Sequence, residues 1–161
     1  MDVARKERPR TEGVLTVSAS IRIARPIDVV RSHFGDVDHH AKNPVHRGVE
    51  FTLLATAGTR SRFRKRVHIL GIPLVDEVIL SRQPDGTITE EFVSGSNAGG
   101  NFTSRFRAEG SEATNVEATV ELPLRGLRRL AAPLIRLLVR RQLGRALGED
   151  RRDLEEGGYQ P

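Results

Sequence analysis

Four of the five histidines, His33, His39, His40 and His46, fall within fourteen residues, together with Asp36 and Asp38. Neutral imidazoles and carboxylates are suitable ligands for iron(II) or zinc, and two His with one carboxylate on one face of the ion leave positions open for substrate and oxygen. The same residues also have an ordinary reading, in which the aspartates cap helices and the imidazoles sit on a polar connection. Both readings stand at this point. The chain has no cysteine, which excludes disulfides, thiolate zinc sites, Cys-held iron–sulfur clusters and Cys nucleophiles. Any metal must rest on His and carboxylates.

A second source of chemistry is two charges on otherwise apolar strand faces. Lys65 alternates with Phe63 and Val67, and Glu90 with Ile88 and Phe92. Burying an isolated charge is expensive, so either the two pair inside the fold or a bulge leaves both solvated. If paired inside, Glu90 and Lys65, with His40, are the candidates for general acid and base.

The elements that must position these groups can be read from periodicity. Residues 1–12 are charged, carry Pro9 and show no apolar period, which predicts a mobile basic tail. From Val14 the chain alternates, with Leu15, Val17, Ala19, Ile21 and Ile23 on one face, as a half-buried strand does. Pro26 suits the first turn of a short helix closed by Gly35, and a second short helix or turn covers Asp36 to Asn43, before Pro44. Period-two segments follow, separated by turn signals such as Ala57-Gly58, Gly71-Ile72-Pro73 and Pro84-Asp85-Gly86, giving six strands up to Leu122. Consecutive hairpins with one wet face describe an antiparallel meander. The Gly-rich run Ser94–Gly100 joins two strands with no helix behind it, so it reads as a hairpin loop and not as a phosphate cradle. From Leu124 onward, Leu127, Leu130, Leu134, Ile135, Leu137 and Leu138 recur at helical spacing, with Pro133 in the first turn of a helix spanning roughly 133–155. That spacing places Leu134 and Leu138 toward the sheet. The opposite face carries Arg128, Arg129, Arg136, Arg140, Arg141 and Arg145, either solvated or in transient contact with an anionic membrane surface.

The order strand, two short helices, six strands, long helix resembles the helix-grip order of the START/polyketide-cyclase (SRPBCC) superfamily. Ser18–Val30, an alternating strand ending in Pro26 before an apolar helix, and Leu122–Leu134 are similar to that superfamily's opening and to the entry of its last helix. The resemblance implies an α+β fold: a curved antiparallel sheet of about seven strands wrapped on a long C-terminal helix, as a single domain over 13–156, with 157–161 as a tail. It further implies an internal cavity for an apolar small molecule, walled by Phe63, Phe92, Phe102 and Phe106 from strands and Leu134 and Leu138 from the helix. A weaker likeness is to the catalytic domains of Rieske-type aromatic-ring oxygenases. The run Asp36-Val37-Asp38-His39-His40 through His46-Arg47-Gly48 resembles their Asp–His–His run, and Gly148-Glu149-Asp150 resembles the start of their closing segment. On that mapping His40, His46 and Asp150 would ligate iron(II) or zinc, with Asp36 behind a His as its orienter.

Three functions follow in order. The first is binding of an apolar polyketide-like, aromatic or lipid molecule, with cyclase or dehydratase chemistry as its catalytic form. The second is a mononuclear metal enzyme lacking a Rieske domain, and the third a lipid carrier at a membrane surface. Nucleic acid is not an expected partner, because aromatic residues are 4% of the chain and stacking platforms are missing, and a net charge of +5 is a mild excess. With no apolar run of about 20 residues and no apolar leader core, the expected location is cytoplasmic.

Overall fold

The computed structural model describes residues 13–161; the N-terminal stretch expected to be a tail lies outside the described residues. The chain runs β1 (Gly13–Ile23), α1 (Ile27–Gly35), α2 (Val37–Lys42), β2 (Val49–Ala57), β3 (Arg60–Ile69), β4 (Ile72–Arg82), β5 (Ile88–Gly95), β6 (Asn101–Ala108) and β7 (Thr114–Leu124). A single 3-10 turn, Gly126–Arg129, then leads into α3 (Ala132–Glu156). The seven strands form one sheet in the order β1-β7-β6-β5-β4-β3-β2, each pair antiparallel. This is the helix-grip arrangement, with the expected strand number, short helices and long final helix. Register shifts at Leu53/Ala55 and Glu77/Val78 mark bulges, which add local bend and twist.

Alternation decides which strand residues face inward. Along β1, Leu15, Val17 and Ile23 are buried while Val14, Thr16, Ser18, Ser20 and Arg22 are exposed. In β3, Ser61 and Phe63 are buried between exposed arginines, so Lys65 also points to the concave side. The β3–β4 hairpin closes through Leu70 and Gly71, both with positive φ (51° and 78°), the geometry of a two-residue turn matching strand twist.

The short helices are set by local chemistry. Pro26 begins α1, and Arg82 on β4 donates to the Gly35 carbonyl at its end. Asp36 Oδ1 accepts the His39 backbone N–H at 2.9 Å and so caps α2, which stops at Asn43 before Pro44. The capping expected of an aspartate here is therefore realised.

The buried apolar residues fall into two groups. One joins β1 and β7 to α3 through Leu15, Val17, Val116, Leu143, Leu147 and Leu154. The other, Val37, Phe63, Val78, Leu80, Ile88 and Phe92, belongs to β3–β5 and α2 and includes no residue of α3. The helix thus seats on one wing of the sheet and stands off the other.

Two expectations about the C-terminal region are corrected. Leu134 is 55% exposed, and the inward stripe of α3 is Ile135, Val139, Leu143, Leu147 and Leu154, a rotation away from Leu134 and Leu138. Leucines occur on several sides of the first helical turns, so periodicity there is ambiguous. The later turns, where arginines and acids restrict the apolar positions to Leu143, Leu147 and Leu154, set the rotation. The stretch 157–161, expected as a tail, contains Tyr159, which is 5% exposed and packs in the first core group.

Replacing Leu154, fully buried, by Ala should lower unfolding free energy by about 2–5 kcal/mol. Leu134→Ala should change it by no more than about 0.5 kcal/mol. Denaturant unfolding measures both, and the reverse order would mean that α3 is rotated from the orientation described.

Candidate functional site

A cavity of about 180 Å³ lies where α3 stands off the sheet. Strand residues Phe51, Phe63, Phe92 and Phe102 form one wall, and Val139 and Leu143 of α3 face them. Three of the four phenylalanines expected on this wall are on it. Phe106 is not: it shares the inner face of β6 with Phe102 but lies farther along the strand, where its ring packs edge-on against Phe34 of α1 with centroids 5.3 Å apart. Nor do the expected helix residues contribute. Leu138 borders a separate outer groove with Leu70 and Arg141. Ile69 and Gln142 belong to both the cavity and that groove, which places the cavity mouth between the β3–β4 hairpin and α3.

Among the polar groups on the wall, Lys65 and Glu90 meet inside, with Nζ 3.4 Å from Oε2. The ammonium group also lies 5.6 Å from the centre of the Phe51 ring and 5.8 Å from that of Phe102, so it is held by a carboxylate and two ring faces. Of the two readings of these charges, the paired one is realised. Sequence reasoning missed a third charge on the wall, Asp76, which is 2% exposed. Its two oxygens accept from the backbone N–H and the side-chain amide of Asn97, each at 2.7 Å. This clamp draws the Gly-rich loop against β4. At Gly95, with φ of +105°, a Cβ would stand 2.1 Å from the Val75 carbonyl oxygen, so only glycine permits the approach. The alternation that exposed Lys65 would have revealed Asp76, which shares its face with Val78 and Leu80.

The inner end of the cavity is polar. His40 and His46 stack with ring centroids 5.3 Å apart and both point Nε2 at Asp150 Oδ1, at 3.4 and 3.2 Å. The three residues that sequence likeness singled out therefore converge, from α2, the loop before β2 and α3. Asp36 does stand behind His40, but through its backbone: the carbonyl accepts from Nδ1 at 2.8 Å, while the carboxylate caps α2 and accepts from the Tyr159 hydroxyl at 3.1 Å. Two further residues, outside the mapped set of His40, His46 and Asp150, join them. His33 is fully buried behind His40, and Asp153 Oδ2 accepts from Nε2 of His33 at 2.8 Å and of His39 at 2.7 Å. Asp153 lies three residues beyond Asp150 and so on the same helical face, a spacing that could have pointed to it. Two sets of three have donor atoms all within 4.8 Å of one another among the described residues: His33, His40 and Asp150, and His33, His39 and Asp153. His46 falls outside both.

Burial opposes charge at His33, His40 and Asp150, and the outcome differs by residue. It dominates at His33, whose pKa is lowered to about 4 despite the nearby Asp150 and Asp153. For Asp150 burial also disfavours ionisation, but the charge of His46 and the bonds from His40 and His46 outweigh it and hold the carboxyl well below the usual range. His40 is raised although burial works against it, because Asp150 and the Asp36 carbonyl favour its charged form.

Outside the cavity, the arginine face is partly tethered. Arg128, Arg136 and Arg145 donate to the backbone carbonyls of Ser96, Thr16 and Arg47. Leu127 and Leu130 beside them are each 82% exposed. No helix of the described residues is long and apolar enough to cross a membrane.

Comparison with curated protein sequences finds no match. Among solved structures, one from Thermus thermophilus superposes with a TM-score of 0.80 at 21% identity, covering 90% of this chain and 100% of that one. The Zhui aromatase/cyclase of a Streptomyces species gives 0.75 at 18% identity, covering 91% and 99%. A START superfamily protein from Mycobacterium smegmatis gives 0.73 at 18% identity, covering 89% and 99%. At these identities the likeness is one of fold. The likeness to Rieske-type catalytic domains finds no support in these comparisons. The family model described as polyketide cyclase/dehydrase and lipid transport matches residues 14–155, and the chain belongs to that family.

Proposed function

We propose that the protein binds a compact apolar molecule, aromatic or polyketide-like, in the cavity between sheet and α3, and promotes a cyclase- or dehydratase-type reaction there. The observation that carries this reading is an apolar cavity whose few polar groups, Lys65 with Glu90 and His40 with Asp150, stand on its wall. Ligand sites have this composition: mostly apolar, with a small number of placed polar groups. The volume, about 180 Å³, is below the ~300–1,000 Å³ of common ligand sites, which favours a small ring system over a long acyl chain. Membership of the polyketide cyclase/dehydrase family supports the same class of ligand.

The chemistry assigned to Lys65 and Glu90 is proton movement. Glu90 would take a proton from the carbon beside a ligand carbonyl, and the electron pair would pass to that carbonyl oxygen, where the Lys65 ammonium stabilises it. The enolate carbon then attacks a second carbonyl of the same folded molecule. Glu90 would return its proton to the new oxygen, and would then take the second proton from the attacking carbon as the new hydroxyl leaves as water, forming the double bond. Confinement supplies the rest, since holding two reacting ends together is worth several kcal/mol and up to roughly 7–11 kcal/mol in ideal cases.

The exposed Leu127, Leu130, Leu134 and Leu137, in a stretch with no acidic residue between Glu121 and Glu149, favour a second reading, transient docking on an anionic membrane to collect or deliver a lipid. Flotation with phosphatidylglycerol vesicles at low salt should carry the protein, and high salt should release it. Failure to float, or equal binding to neutral vesicles, ends that reading.

For the cavity itself, 1-anilinonaphthalene-8-sulfonate should bind the native protein saturably at one site, with near-ultraviolet dichroism unchanged. Ala146 lines the cavity, so Ala146→Trp should weaken binding at least about tenfold while lowering stability by only about 1–3 kcal/mol. Unaltered dye binding in that variant would place the dye elsewhere and remove the support for an internal site.

A further inference from the structure

The hydrogen bonds around the inner end of the cavity fix which nitrogen of each imidazole carries a proton. His40 donates Nδ1–H to the Asp36 carbonyl at 2.8 Å. His46 Nδ1 lies 3.3 Å from Glu149 Oε2, and His33 Nε2 lies 2.8 Å from Asp153 Oδ2, each pairing a ring N–H with a carboxylate. In every case the outer nitrogen is the donor, so in the neutral ring the inner one presents a lone pair. Those three inner nitrogens, His33 Nδ1, His40 Nε2 and His46 Nε2, converge on one atom, Asp150 Oδ1, at 3.9, 3.4 and 3.2 Å. Where a ring is doubly protonated its inner N–H donates to that oxygen, as His40 Nε2 can at 3.4 Å; in the neutral rings lone pairs face it. His33 Nδ1 is fully buried and has no hydrogen-bond partner.

A polar atom buried without a partner forfeits its solvation with nothing in return. A proton on one ring would satisfy one of the three contacts, whereas a single dication among them satisfies all three. Two ligands bound at about 2.0–2.2 Å to one ion lie roughly 3–4 Å apart, and the three distances to Asp150 fall in that interval. The outer bonds match what a metal-bound imidazole needs, an acceptor behind each ring that fixes its orientation and raises its basicity. The neighbouring triplet does not compete: in His33, His39 and Asp153 the donors already hydrogen-bond at 2.7 and 2.8 Å, too close for an ion between them. It serves instead as the support behind His33.

We propose that His33, His40 and Asp150, with His46 as the fourth donor on a small rotation of its ring, bind one divalent transition-metal ion at the inner end of the cavity. Imidazole nitrogens with one carboxylate and no thiolate suit zinc or iron(II) over magnesium or calcium. His40, His46 and Asp150 line the cavity while His33 lies behind them, so an open coordination position faces the space assigned to the apolar ligand. The inference does not depend on which ligand that is.

The test uses full-length protein produced without a polyhistidine tag, stripped with chelator and titrated with cobalt(II) and with zinc. Cobalt should give visible d–d absorption saturating at one ion per chain, zinc should displace it, and either metal should raise the melting temperature. Asp150→Asn, which keeps shape and hydrogen bonding, should weaken affinity at least about 100-fold, and His39→Ala, acting only through Asp153, by about tenfold. His68→Ala, on an exposed strand position, should change nothing. Because His33→Ala opens a buried hole, circular dichroism accompanies every variant, and the conclusion rests on Asp150→Asn. Absence of stoichiometric binding, or unchanged affinity in Asp150→Asn, overturns the site and leaves a protonated hydrogen-bonded cluster. Loss confined to His39→Ala also overturns it, by assigning the ion to the other triplet.

Discussion

The structure depends on how little of the sheet α3 can cover. A single helix laid on a curved seven-stranded sheet packs tightly along one wing, and here Leu143, Leu147 and Leu154 close against Leu15, Val17 and Val116. The other wing, with Phe63, Val78, Leu80 and Phe92, gathers its own apolar group without the helix. The space between the two groups is the cavity, a direct result of dividing the core. Because its walls are strand faces of fixed alternation, every inward side chain of β3, β4 and β5 between the groups becomes a wall residue, charged or not. Lys65, Asp76 and Glu90 are inside for that geometric reason, and each has acquired a partner.

The same helix organises the polar end. Asp150 and Asp153 project from the last turns of α3 toward four histidines supplied by α1, α2 and the connection to β2. Each short helix is too short to hold its position by itself. Asp153 bridging His33 and His39, Tyr159 reaching Ser32 and Asp36, and Arg82 holding the end of α1 fasten them to the rest of the fold. The cluster is therefore both a structural clasp and a set of donors facing the cavity.

Much of this was legible in the sequence, and the parts that were not have physical explanations. Strand alternation placed Lys65 and Glu90 on the inner face, and the strand order carried the topology, because a half-buried strand admits only one phase of apolar residues. His40, His46 and Asp150 could be brought together only by a resemblance, since no periodicity links residues over 100 positions apart. The rotation of α3 was misread from Leu134 and Leu138, whose turn has leucines on several sides. Phe106 was placed on the cavity wall by phase alone, though α1 covers its position and Phe34 takes the contact. Tyr159 escaped notice because a buried residue just past a surface-like helix end carries no local pattern. His33 stood in the cluster, but its full burial and its unpartnered nitrogen are properties of packing around it.

The central claim is that the gap between the two core groups takes up an apolar ligand in solution. Methyl-labelled leucine and valine, followed by NMR while a compact bicyclic aromatic such as 1-naphthol is added, tests it most directly. The account predicts saturable shifts at Val67, Leu74, Leu80, Val120, Val139 and Leu143, which line the cavity, with Leu127, Leu130 and Leu134 unmoved. Shifts concentrated on those exposed leucines, or spread over the surface without saturation, would contradict it.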